Sequence, residues 1–169
     1  MGAAVSVVFR PGTTDDAMRA AAAVTPMALA NAIRRVVVVG VGRIQTHTPV
    51  GATGALRGGY RSAMYRVGSP SPRGVIINAI LYHDWAEDGR AAGRPPPVEA
   101  IMPWVGTILG VPPGPERWSV AFRIARAIGR RGTTGAHMVE EGWRETVTVI
   151  RPELAKMGYH IVSAMRRSF

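Results

Sequence analysis

The chain has 169 residues, 47% of them hydrophobic, and a formal net charge of +10, which fits one folded domain with a real core and excludes a disordered chain. It contains no cysteine, so disulfides, thiol nucleophiles and cysteine-based zinc sites are excluded. Twenty of its 21 basic residues are arginine, Lys156 being the exception, and a surface of that sign attracts phosphates or acidic protein.

Residues 1–12, with "VSVVF", read as an N-terminal arm or a short strand. No uninterrupted apolar run reaches the roughly 18 residues of a membrane span, and no basic stretch followed by a hydrophobic segment opens the chain, so neither a spanning helix nor a secretory signal is expected. Residues 13–48 read as a helical hairpin or a kinked long helix. Thr13 or Thr14 caps its start, with Asp15 and Asp16 at the positive end of the dipole. A second segment runs from Pro26 to His47 with Thr25 as its N-cap.

Within that segment "VVVVGVGRIQ" (36–45) imitates a strand entering a dinucleotide-binding turn. The imitation fails on three counts. Gln45 stands where a third glycine must let the next helix pack on the strand. Only "RIQTHT" follows before Pro49, too little for a helix that holds a pyrophosphate. No Asp or Glu occurs between Gln45 and Pro70 to meet a ribose. Leu29, Ile33, Val36, Val37, Gly40 and Ile44 recur instead at helical spacing, so the valines belong to a helix core.

Residues 56–86 read as a β-hairpin region, "LRGGYRSAMYRVG" and "RGVIINAILYHDW" being candidate strands and Gly58–Gly59 a bulge. "YHDWAED" gathers His83, Asp84, Glu87 and Asp88. As a metal or acid–base cluster it lacks further ligands at useful spacing, since His47, His137 and His160 lie far along the chain, and the simpler reading is a strand end entering a solvated acidic loop.

Residues 97–169 read as helical. "PVEAIMPWVGTILG" gives a short helix and "VPPGP" a rigid connector. "PERWSVAFRIARAIGRR" gives a helix that Pro115 and Glu116 start and Gly132 stops. Its predicted apolar face is Val120, Ala121, Ile124, Ala125 and Ile128, with Arg123, Arg126, Arg130 and Arg131 outside it, either as a solvated face or turned to phosphates or an acidic partner. "HMVEEGWRETVTVI" reads as helical, and Pro152 opens a last helix whose stripe Leu154, Met157, Ile161, Ala164 and Met165 serves either as core or as an interface. The expected fold class is α+β: a long N-terminal helix and C-terminal helices packed on a small antiparallel β-sheet. No nucleophile elbow or phosphate-binding loop is present, so no catalytic residue, metal or cofactor is expected.

The order of these motifs resembles the tail-completion or neck (head–tail joining) protein family of long-tailed bacteriophages. The matching positions are Pro49, Thr53, Gly54, Leu56 and Arg57, then Asn78, Tyr82, Glu87, Gly89 and Trp104, then Ala121, Ile124, Ile128, Gly132 and Thr133. They cover roughly residues 25–148. The chain departs from the pattern after Thr133, where "TGAHMVEEGW" replaces a proline and phenylalanine. The resemblance implies a structural virion protein, neither enzyme nor cofactor carrier, in a ring of about six identical subunits that completes the tail and joins it to the head, beside other neck and tail-tube proteins, with DNA passing through the lumen without sequence specificity. It implies no membrane partner and localisation in the virion. Rings need two different patches that meet, and loops held by a scaffold commonly supply them. The expected subunit contacts are therefore Thr53, Gly54, Leu56, Arg57, Glu87, Arg90 and Arg94, with Arg57 taken as exposed. Arg123, Arg126, Arg130 and Arg131 are expected to face DNA or an acidic partner. Two rivals remain at this stage, a basic nucleic-acid-binding module acting through the 115–131 helix and a metal-dependent hydrolase built on "YHDWAED".

Overall fold

The computed structural model describes residues 14–167; the expected N-terminal arm, the cap at Thr13 and the last two residues lie outside them. Ten elements follow in order: α1 (Thr14–His47), α2 (Ala55–Gly58), β1 (Arg61–Tyr65), β2 (Arg73–Ile77), α3 (His83–Asp88), β3 (Gly89–Arg90), α4 (Val98–Ile108), α5 (Pro115–Arg131), β4 (Thr133–Thr134) and α6 (Met138–Arg166). β1 pairs with β2, and β3 with β4 in antiparallel register, Gly89 opposite Thr134 and Arg90 opposite Thr133. Among the described residues the architecture is α+β, with a long helix near each end of the chain and small two-stranded sheets between, one of them antiparallel.

Two prolines expected to start helices lie inside them. α1 runs unbroken through Pro26, and Thr25, expected as an N-cap, instead turns its hydroxyl back onto the carbonyl of Ala21 at 2.6 Å. α6 likewise runs through Pro152, so the two C-terminal helices are one. The second candidate strand ends at Ile77, and "HDWAED" forms α3 rather than an acidic loop. "LRGG" forms the turn of α2 in place of a bulge.

The chain divides into two compact units, each described by itself. The first comprises Ser62–Val75 with the described parts of Met1–Val39 and Thr146–Phe169. Ala30, Ala32 and Val37 are its core on α1. Gly74 lies so close to α1 that a Cβ there would be 2.6 Å from Ile33 and 2.7 Å from Val37. Glu153, buried on α6, is gripped by Lys156 at 2.7 Å and by the Arg35 guanidinium of α1. Hydrogen bonding from Lys156 first, and from Arg35 next, holds its carboxyl below the ordinary glutamate range. By length and composition alone α1 would also pass for a membrane span over Asp16–His47, which the count of uninterrupted apolar residues did not show because Arg34, Arg35 and Arg43 interrupt them.

The second unit comprises Gly40–Arg61 and Ile76–Glu145. Here α1 and α6 meet backbone to backbone: Ile44 and Gly142 are both buried, and a Cβ on Gly142 would lie 2.6 Å from the Ile44 backbone. Glu145 of α6 fastens the same contact, accepting from His47 at 2.9 Å and pairing with Arg43 at 3.4 Å. α4 packs along α5. The buried line on α5 is Ala121, Ala125 and Gly129, with Ile124 and Ile128 only half-buried. The small residues win because the 93–95 segment lies directly on the helix: Gly93 donates to the Gly129 carbonyl at 2.7 Å, and Pro95 would be 2.8 Å from a Cβ there.

An aromatic cleft as the candidate functional site

The second unit contains a cleft of about 580 Å³. The turn 51–53 after α1, the α3–β3 corner, the prolines before α4, the first half of α4 and the end of α5 all contribute to its wall. Its character comes from Tyr82, Trp85 and Trp104, which are 45%, 63% and 37% exposed, together with Pro96, Pro97 and Arg90. The Arg90 guanidinium sits 5.9 Å from the Trp85 ring centroid and donates to the carbonyl of Arg94 at 2.7 Å, so cation–π attraction and one hydrogen bond fix its direction.

The walls are positioned from below by a polar network. Tyr60, 3% exposed, meets Nε2 of His83 at 3.0 Å, and Nδ1 of His83 meets Asp84 at 3.0 Å. A carboxylate only accepts, so Nδ1 of His83 donates to Asp84. Burial raises the Tyr60 pKa above its ordinary value; hydrogen bonding to Thr48 and then Asn78 opposes this, and the charge of Glu87 adds to it. The resulting Tyr–His–Asp chain superficially resembles catalytic machinery, yet its phenol is enclosed and kept protonated. Its effect is to hold α3, and with it Tyr82 and Trp85, at the cleft. Among the described residues no group of three or more histidines and carboxylates is placed to hold a metal.

The expected contact residues divide into two sets. Thr53 and Arg90 line the cleft, and Arg94 is exposed beside it through the Arg90 hydrogen bond. Gly54, Leu56, Arg57 and Glu87 are occupied within the chain. Gly54 takes the left-handed conformation (φ 67°) that starts α2. Leu56 is buried, and its carbonyl accepts from Asn78 at 2.9 Å. Arg57 is half-buried rather than exposed: it donates to Gln45 O at 2.7 Å, while Gln45 Nε2 returns a bond to Arg57 O at 3.0 Å. It thereby adds side-chain donors to carbonyls in the last turn of α1. Glu87 accepts from the backbone N–H groups of Val139 and Glu140 at 2.9 and 3.3 Å, capping the positive start of α6 from a distant segment.

Arg123, Arg126, Arg130 and Arg131 are all exposed along α5. Among the described residues none of them forms an ion pair. The sequence reading missed Trp85 and the prolines as site residues; the available signal was the density of aromatics and prolines at 82–104, in the same stretch that supplied Tyr82 and Trp104 to the resemblance. No family model, curated protein or solved structure matches the chain.

Proposed function

We propose that the chain is a structural protein of the phage neck, forming a homo-oligomeric ring of about six copies that completes the tail and joins it to the head, with DNA passing through its lumen. The observation that carries this reading is the cleft. It is open, apolar and aromatic, and it lacks the converging titratable groups of a catalytic pocket. Exposed Trp and Tyr at a concave site favour a protein partner over water. Thr53 and Arg90, two of the residues expected at the subunit contact, stand in its wall. Other positions of the resemblance, Leu56, Asn78, Glu87, Gly89 and Gly132, lie in the same unit and hold its loops in place. The α5 arginines, without carboxylate partners among the described residues, supply the positive surface that DNA or an acidic neighbouring ring would meet.

Mass in solution, followed across concentration and salt by sedimentation, tests the proposal. The expected result is a climb from monomer to a discrete species near six copies. A chain that stays monomeric up to on the order of 100 μM, and binds duplex DNA with a steep inverse salt dependence, would favour the nucleic-acid-binding reading through Arg123, Arg126, Arg130 and Arg131.

A further inference from the structure

A ring built from one kind of chain needs two unlike patches that fit each other, placed apart so that a copy cannot satisfy itself. The α4–α5 pair offers both. The cleft lies at the start of α4 and the end of α5. The connector between the helices, "LGVPPGP" (109–115), lies at the other end, and about 20 Å of rigid helix separates Pro115 from Ile128 in the cleft wall.

The connector is built to project. Pro112, Pro113, Gly114 and Pro115 are all exposed. Arg117 fastens the base, donating from Nε to the Val111 carbonyl at 2.8 Å and packing its guanidinium where a Cβ on Gly106 would sit, 2.7 Å away. Gly114 has φ 141° and ψ −170°, a conformation reserved for glycine. Beside the prolines, Trp118 and Phe122 stack at 5.3 Å on the surface of α5, 49% and 42% exposed. An apolar, pre-shaped, proline-rich end of this kind loses little conformational freedom on docking. Proline rings pack on exposed Trp and Tyr faces, the chemistry by which aromatic grooves read proline-rich segments.

Charge agrees with the fit. Glu116 is exposed directly after Pro115 and forms no ion pair among the described residues, and neither does Arg90 at the cleft. The two cannot meet within one copy, because α5 stands between them.

We propose that the proline connector Val111–Glu116 of one copy docks in the Tyr82–Trp85–Trp104 cleft of the next, with Glu116 against Arg90, and that this head-to-tail contact closes the ring. The inference rests on the ring reading above and names the contact that would build it.

Three preparations of the full chain test it: P112S/P113S, which alters only exposed connector residues, W85A, which alters the cleft, and their equimolar mixture. Each variant alone should need at least about tenfold more protein to assemble. In the mixture one intact cleft faces one intact connector, so the head-to-tail contact predicts dimers that go no further. A synthetic peptide of residues 109–117, which carries no tryptophan, should quench the fluorescence of the wild-type chain and leave W85A unaffected. Assembly of P112S/P113S at the wild-type concentration would overturn the docking contact and leave the ring standing. A wild-type chain that remains monomeric yet binds the peptide in its cleft would uphold the contact and defeat the ring. A monomer that does not bind the peptide would overturn both.

Discussion

Gly142→Ala should lower the melting temperature by roughly 6–12 °C, the effect of about 3 kcal/mol on a chain of this length. The added Cβ meets the Cα and N of Ile44 at 2.6 Å, and backbone cannot move aside as a side-chain tip can. The α1–α6 crossing must open, loosening the buried Ile44 packing and the Glu145 contacts to His47 and Arg43. Gly158, on the same helix, is the control. A Cβ there meets nothing within 4 Å, so Gly158→Ala should stabilise by about 0.5–1 kcal/mol through helix propensity and a less flexible unfolded chain. Thermal melts of the pair check the claim: equal shifts would mean that α6 does not press on α1 at Gly142.

Gly132→Ala combines two penalties and should cost about 3 kcal/mol or more. Gly132 ends α5 at φ 73°, its N–H bonded to the Ile128 carbonyl at 2.8 Å. That left-handed backbone strains any residue with a Cβ. The Cβ would also lie 2.1 Å from the carbonyl of Arg90, so β3 and β4 could not pair as they do. Gly110→Ala separates the two effects, because Gly110 has φ 67° but open space around it; strain alone should cost it about 1–2 kcal/mol. Since Arg90 and Thr133 both line the cleft, near-ultraviolet circular dichroism of the tryptophans should change in Gly132→Ala and stay unchanged in Gly110→Ala. Equal losses of stability in the two variants would show that the β3–β4 approach contributes nothing.

Where local chemistry decides an element, the sequence was readable. α5 carries its own start and stop, Pro115 at its first turn and Gly132 just beyond its end, and its bounds follow from those signals. The valines of α1 were readable for the same reason, because their spacing is helical. Pro152 misled because tertiary structure overrides a local breaker: Glu153, next to it, is locked by Arg35 of α1 across 118 positions. Leu56, Arg57 and Glu87 looked like surface contacts because they sit in a glycine-rich or acidic stretch. Their partners, Asn78, Gln45 and the start of α6, become visible only once the chain is folded. The cleft was hidden most deeply. Its walls come from segments around residues 52, 85, 101 and 130, of which only the aromatic- and proline-dense stretch 82–104 carries a signal in the sequence.

The structural features divide the labour in a way that suits an assembly protein. The Tyr60–His83–Asp84 chain and the caps supplied by Arg57 and Glu87 spend polar chemistry on rigidity. What remains outward is an aromatic cleft, a proline-rich end and a row of arginines, the surfaces on which the proposed contacts would form.

The most direct test of the ring is an image. Negative-stain electron microscopy of the purified chain, at a concentration where its mass has reached a plateau, should give annular particles with a central opening and rotational symmetry near six. Particles that are solid, open-ended filaments, or monomers at that concentration would contradict the account.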